Sequence, residues 1–236
     1  RYGCNSRVEV AKNFAFNMLL RSASLDHEGG RGHPSGGLGA GMIRIVEAAS
    51  QQRHAAALRQ HFELRHAIFV RERGWTDFDR GDIETDQYDN HHAVYALSID
   101  ADQQVIGCFR LYPTVLPHMI SESFAWTVEG AVIQQPDVLE LTRFGIKKGH
   151  RGGPVYLELF LGLTEYCLHN GISGTTALIR AVRKPVMEDY GLTVRALGPL
   201  LPIDGQMHLA VHFAMDEVVL ERLRQRAGVF DSVLER

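Results

Sequence analysis

From Met42 onward two hydrophobic periods alternate along the chain, and that alternation limits the fold more than any single residue does. Apolar residues at every second position suit a strand; apolar residues every three to four positions suit a helix. Met42–Val46 is a short strand candidate. Ser50 stands where a helix cap is expected, and Leu58, Phe62, Arg65, His66 and Phe69 then recur at helical spacing to about Val70. A polar stretch, 71–92, follows. Ala93–Ile99 and Val105–Leu111 read as a hairpin across the polar turn 100–104. Residues 119–133 fit short helices. Val138–Ile146 is a strong strand, Gly149–Pro154 a glycine-rich turn, and Val155–Asn170 a clear helix with Gly171 as its C-cap. Thr175–Val182, Val194–Leu197 and Met207–Phe213 read as strands, Lys184–Tyr190 and Met215–Arg226 as helices. Interleaved in this way, they predict one mixed α/β (α+β) domain over residues 42–236.

Composition removes several classes of function. Of 236 residues, 45% are hydrophobic, enough for a packed core. Lys and Arg total 25 against 28 Asp and Glu, so a chain-wide basic face for nucleic acid is not expected. Cys4, Cys108 and Cys167 lie far apart and form no metal knuckle or bridge framework, which fits a reducing, cytoplasmic setting. No apolar run is long enough for a membrane span. Residues 29–41 hold seven glycines and little to bury, so 1–41 reads as a flexible arm, upstream sequence or an appended segment.

Four constellations have the residue types for chemistry. The loop 71–92 carries Glu72, Asp77, Asp79, Asp82, Glu84, Asp86 and Asp89 with Trp75, Phe78 and Tyr88 among them. It reads as a solvated acidic loop or as a binding wall for a cationic, amine-bearing ligand. Its carboxylates lack the rest of a calcium loop, the histidines have no metal-ligand spacing, and no bound metal is expected. Arg65 shares a helical stripe with Phe62 and Phe69, and Arg110 shares a strand face with Ile106 and Cys108. Inward arginines need partners, and Asp86 or Asp89 is the candidate for Arg110. In the strand VLELTRFGI, Glu140 and Thr142 share one face and Arg143 faces the other. For Glu140 and Arg143 to reach one cleft, the strand must bulge or twist. A buried Glu140 either pairs with an arginine or serves as a proton acceptor with a raised pKa. Lastly, Lys147, Lys148, Arg151, Gly152 and Gly153 precede a helix start, where free amides hold an anion or pyrophosphate, or form a plain turn. No short nucleotide motif and no GxSxG elbow is present.

FELRHAIFVRERGW (62–75), ETDQYD (84–89), GCFRLYPT (107–114) and LELTRF (139–144), in this order and spacing, resemble the acyl-homoserine-lactone synthases, the autoinducer synthases of bacterial quorum sensing. The resemblance covers most of 42–213. It implies a fold like that of the GNAT acyltransferases, a twisted mixed sheet with a V-shaped cleft flanked by helices. It also implies transfer of an acyl group from a thioester to the amine of S-adenosyl-L-methionine, followed by lactonisation with loss of methylthioadenosine. By the same resemblance Arg65, Phe69 and Trp75 belong to the amino-terminal substrate-binding region. Asp86, Asp89 and Arg110 match the charged cluster, and Glu140 and Arg143 match the ExxR strand pair. Thr142 stands where the family often has Ser. The mechanism expected from this has Glu140 as the base, with Asp86 holding the substrate ammonium and Arg65 or Arg143 its carboxylate. HRGGP before the long helix is similar to the subgroup using aryl- or branched-acyl-CoA, which favours acyl-CoA over acyl carrier protein as donor. No permanently bound cofactor is implied. The alternatives are an N-acyl amino acid synthase with another amine acceptor and a non-catalytic ligand-binding protein on the same fold.

Overall fold

The computed structural model describes residues 42–235; the expected arm over 1–41 lies outside them. The chain runs β1 (Met42–Val46), α1 (Ala55–Arg65), β2 (Val94–Ile99), β3 (Val105–Pro113), α2 (Met119–Ser123), β4 (Val138–Ile146), α3 (Val155–His169), β5 (Gly174–Arg180), α4 (Lys184–Asp189), β6 (Val194–Ala196), β7 (Leu201–Ile203), β8 (Gln206–Ala214) and α5 (Glu217–Ala227). The strands form one sheet in the order β1-β2-β3-β4-β5-β8-β6, with β7 also on β8. Every pair is antiparallel except β4–β5. The connection between those two is the apolar helix α3, as a parallel crossover requires.

Alternating strand residues feed two cores. Ala96, Phe109, Leu111 and Leu141 pack with α3 and α5 on one face. Tyr95, Leu97, Cys108 and Tyr112 pack with α1 and the segment after it on the other. Glycines set both approaches. A Cβ on Gly107 would stand 2.7 Å from Val155 of α3, and one on Gly145 would stand 2.8 Å from Ile68 on the opposite face.

Several boundaries differ from the sequence reading. The first helix is α-helical only to Arg65 and continues as a π-helix over His66–Glu72. Ser50 does not cap it; Ser50 closes a 3₁₀ turn (Ala48–Ser50) with Glu47. β5 stops at Arg180, because Ala181–Arg183 turn as a 3₁₀ helix into α4. β7, a three-residue edge strand containing Pro202, was not expected. Residues 119–133 include the expected short helices, α2 and a 3₁₀ turn at Ala125–Thr127.

One feature of the sheet places the site. β4 and β5 pair only at Val138–Gly174, Leu139–Thr175 and Glu140–Thr176. Beyond that point β4 stays with β3 and β5 stays with β8, so the two strands part like the arms of a V. Glu140 sits at the apex.

Candidate active site

Three arginines and three carboxylates from α1, the loop 71–92, β3 and β4 meet on one face of β3 and β4. Arg65, the last residue of α1, donates from Nη1 and Nη2 to Asp89 at 2.7 and 2.8 Å and from Nε to Glu84 at 2.5 Å. Arg143 donates to Glu84 from Nη2 at 2.9 Å and from Nε at 3.1 Å, and reaches Asp86 at 2.7 Å. Arg110 grips Asp86 at 2.6 and 3.0 Å and meets Asp89 at 2.9 Å. The result is a closed ring, Arg65–Glu84–Arg143–Asp86–Arg110–Asp89, in which every charge has two opposite neighbours. None of the six side chains is more than 4% exposed. Charges this deep are tolerable only because each is paired and hydrogen-bonded.

Electrostatics follow from that packing. Burial pushes the Asp89 carboxyl up, but the hydrogen bond and charge of Arg65, with Arg110 behind it, outweigh burial and hold it well below the usual range. Asp86 is lowered in the same way, burial being overcome by Arg143 and Arg110. Tyr95 adds a hydrogen bond to Asp89 at 3.1 Å, and Thr142 Oγ1 accepts from Arg110 Nε at 3.1 Å.

The β4 bulge is what closes the ring. Arg110 opposes Thr142 and Cys108 opposes Gly145, so β4 carries an extra residue between these pairs. Arg143 takes it up with φ at +52°, a left-handed conformation that a long side chain seldom adopts. Turned this way, Arg143 reaches Glu84 and Asp86, on the face where Thr142 meets Arg110. The bulge that a shared cleft demanded is present. Arg143 also lies over the rings of Phe69, Trp75 and Phe78 at 5.5, 5.3 and 5.1 Å. Phe69 and Trp75 stack at 5.1 Å, with the π-helix supplying Phe69 and its close supplying Trp75.

Glu140 is buried but pairs with no arginine among the described residues. Its carboxylate accepts from the backbone amides of Met119 at 3.0 Å and Ile120 at 2.7 Å, at the start of α2. Burial raises its pKa, against the opposing pull of His118 and the two amides. The other candidates are placed differently. Lys147 and Lys148 are exposed. Arg151 is tied to Glu72 at 2.7 Å and to the Ile146 carbonyl at 2.9 Å. Gly152 has φ of +77° and Gly153 follows it into α3. Burial pushes the Cys108 thiol up to about 12, as befits a core residue.

Two expectations change. Arg65 does not offer a free guanidinium to a substrate carboxylate, since its three donor nitrogens are all committed to Glu84 and Asp89. Glu84 enters as the central carboxylate between Arg65 and Arg143, although the sequence reading left it among seven acids in one loop. Its place at the head of ETDQYD was the available signal. A cavity of about 540 Å³, lined by residues including Glu129, Arg195 and His212, lies away from the ring on β6 and β8. Among the described residues there is no metal-ligand cluster and no helix long and apolar enough to cross a membrane.

Comparison with known proteins bears on the family and the fold. Residues 49–223 match the model of the family described as autoinducer synthase. The isovaleryl-homoserine lactone synthase of Bradyrhizobium diazoefficiens is 32% identical over 191 residues, 80% of this chain and 86% of that one. Solved structures of BjaI, a CoA-dependent acyl-homoserine lactone synthase, superpose with a TM-score of 0.77 at 32% identity, over 81% of this chain and 92% of theirs. One holds MTA and another SAM and isopentyl-CoA. MesI, also a CoA-dependent acyl-homoserine lactone synthase, gives 0.76 at 27% identity, over 81% of this chain and 98% of its own. The wider GNAT-like fold is shared with a Lactobacillus plantarum protein described as an N-acetyltransferase, at TM-score 0.52 and 20% identity, over 74% and 99%. A family match over most of the described residues, with a relative of this identity and coverage, means that the chain belongs to the autoinducer synthase family.

Proposed function

We propose that this chain transfers an acyl group from acyl-CoA to the amine of S-adenosyl-L-methionine and then closes the lactone, releasing methylthioadenosine and an N-acyl-L-homoserine lactone. The observation that carries this reading is Arg143. It is the one ring arginine whose Nη1 makes no hydrogen bond among the described residues, and it stands in a box of Phe69, Trp75 and Phe78. A cationic sulfonium and a flat adenine suit those aromatic faces, and a substrate carboxylate suits Arg143. Asp86, whose two oxygens are committed to Arg110 and Arg143 rather than offered to a substrate ammonium, joins Asp89, Arg110 and Arg65 in holding Arg143 and the loop in place, while Thr142 steadies Arg110.

Glu140 takes the proton from the substrate ammonium, and burial makes its carboxylate a better acceptor than one in water. The freed amine attacks the thioester carbonyl, and backbone N–H groups of β4 past the apex face the developing oxyanion. The C–S bond of the thioester breaks and the thiolate takes a proton as CoA leaves. The substrate carboxylate then attacks its own γ-carbon. The sulfonium C–S bond breaks with no further proton transfer, so the enzyme need only fold the chain correctly. Lys147, Lys148, Gly152 and Gly153 receive the pyrophosphate of CoA, and Arg151 anchors their turn. The similarity to two CoA-dependent synthases supports CoA over acyl carrier protein. Mixing the protein with S-adenosyl-L-methionine and a panel of acyl-CoAs should give acyl-homoserine lactone and methylthioadenosine by mass spectrometry. Acylated product without methylthioadenosine would instead mean another amine acceptor.

A further inference from the structure

Glu140 accepts a proton in every turnover, and that proton has to leave again. An ammonium carries three N–H bonds and the amide it becomes carries one, so two protons are given up. The departing thiolate takes one of them, and lactonisation takes none. The other must pass from Glu140 to solvent. Yet Glu140 is 1% exposed, and both of its oxygens are occupied by the amides of Met119 and Ile120.

The residue that precedes those two amides is His118, and its side chain is fully buried. Its main chain needs nothing from the ring, because Ser121 Oγ accepts from its N–H at 2.9 Å and donates to its carbonyl at 2.9 Å. The ring is fixed instead by Nδ1, 2.9 Å from the Leu116 carbonyl. A carbonyl only accepts, so Nδ1 carries a hydrogen, and Nε2 of the neutral ring carries a lone pair. Nε2 is fully buried and has no hydrogen-bond partner among the described residues. An imidazolium at this place is felt by Glu140 and favours its carboxylate. The other polar groups around Glu140 are committed. Arg110 is bound into the ring of charges, Tyr88 donates to Glu122 at 2.8 Å, and Tyr112, opposite Glu140 on β3, bonds with Asn90. Among these neighbours His118 alone offers an unclaimed lone pair on a basic nitrogen. The Leu116 carbonyl that it holds belongs to a surface turn in which Val115 and Pro117 are exposed.

We propose that His118 is a positioning residue for acyl transfer, acting through Glu140: its Nε2 takes up the proton that Glu140 has removed from the substrate ammonium and returns Glu140 to the carboxylate. The O–H bond on Glu140 breaks, the Nε2–H bond forms, and the imidazolium passes its proton to solvent before the next turnover. This rests on the synthase reading above and adds a second group to its base.

His118→Asn tests it, because the asparagine amide keeps a donor for the Leu116 carbonyl and lacks Nε2. The assay is methylthioadenosine release from S-adenosyl-L-methionine with the best acyl-CoA of the panel. At about pH 7 kcat should fall about 10- to 100-fold with KM little changed. The deficit should shrink toward about pH 9, where the substrate amine, with an ordinary pKa of about 8, sheds its proton in solution. A packing defect stays the same at every pH. Placed on Glu140→Gln, the substitution should cost nothing further, since it acts through that carboxylate. A His118→Asn with full kcat, a deficit that does not change with pH, or a full additional loss on Glu140→Gln overturns the proposal and leaves the synthase reading standing. If the variant does not fold, nitrogen NMR of the unaltered protein with labelled histidine decides. His118 should show a protonated Nδ1 and a bare Nε2 at about pH 7, and a proton on Nε2 overturns the proposal. An unaltered protein that releases no methylthioadenosine with any acyl-CoA overturns the synthase reading, and the proposal with it.

Discussion

Glu140 combines a costly burial with two backbone amides and no arginine ion pair among the described residues, and that arrangement suits a group that changes protonation during turnover. An arginine partner would hold it ionised and weaken it as a base. Glu140→Gln should therefore leave a folded protein with a somewhat lower melting temperature, because one of the two amides then faces a side-chain NH2, and its kcat at a temperature where it is fully folded should be lower by about 10²–10⁴. Normal turnover in a well-folded variant would remove its role as base. Asp89 works in the opposite direction. Its folded pKa is depressed, so its stabilisation is complete above the unfolded carboxylate value of about 4 and is lost as pH falls below it. The melting temperature of the unaltered protein should drop steeply below pH 4. Asp89→Asn, with a lower melting temperature at neutral pH, should show a shallower acid slope. Equal slopes would refute the Asp89 contribution. The partner of Arg110 was legible in sequence because Ile106, Cys108 and Arg110 alternate on one strand face, and an inward arginine has few carboxylates within reach. Glu84 was not, because seven acids in one loop differ only in how the loop bends.

At the level of elements, two irregularities aim the site, the π-helix over His66–Glu72 and the bulge at Arg143. The bulge could be argued beforehand, because Glu140 and Arg143 are three apart on a strand and cannot face one cleft in a regular one. The π-helix could not, since its apolar spacing continues that of α1 and the difference lies only in the hydrogen bonds. The strands were read well wherever alternation ran for five residues or more. β7 escaped because three residues around Pro202 carry no period. Close packing at Gly107 fixes how α3 lies on the sheet. Gly107→Ala must push Val155 or Leu159 aside. It should destabilise the protein by about 1–3 kcal/mol in urea titration, an overpacking cost. No change in the midpoint would show that α3 can yield.

The whole molecule is two half-sheets, β1–β4 and β5 to β8, that share three residue pairs at the apex. α3 crosses the sheet between them and carries Glu158, a nearly buried carboxyl with no hydrogen bond or ion pair among the described residues. Burial pushes it up to about 7. A raised carboxyl stabilises the fold fully below its unfolded value, and that stabilisation is lost as pH rises through the folded one. Thermal stability should thus lose this contribution between about pH 4 and 7, the unfolded and folded values, and Glu158→Gln should remove that loss. A decline of equal size in the variant would assign the effect to another group. The overall architecture was readable because α3 and the β4 that precedes it are long and strongly patterned, while the V came from pairing, which periodicity does not report. The closed circuit of six charges has an engineering consequence. Its members come from four separated stretches of chain, and each answers to two others. The pocket cannot be transplanted onto another scaffold one residue at a time: any partial graft strands a bare ion in the interior, so the six must move together with the kinked strand that joins them.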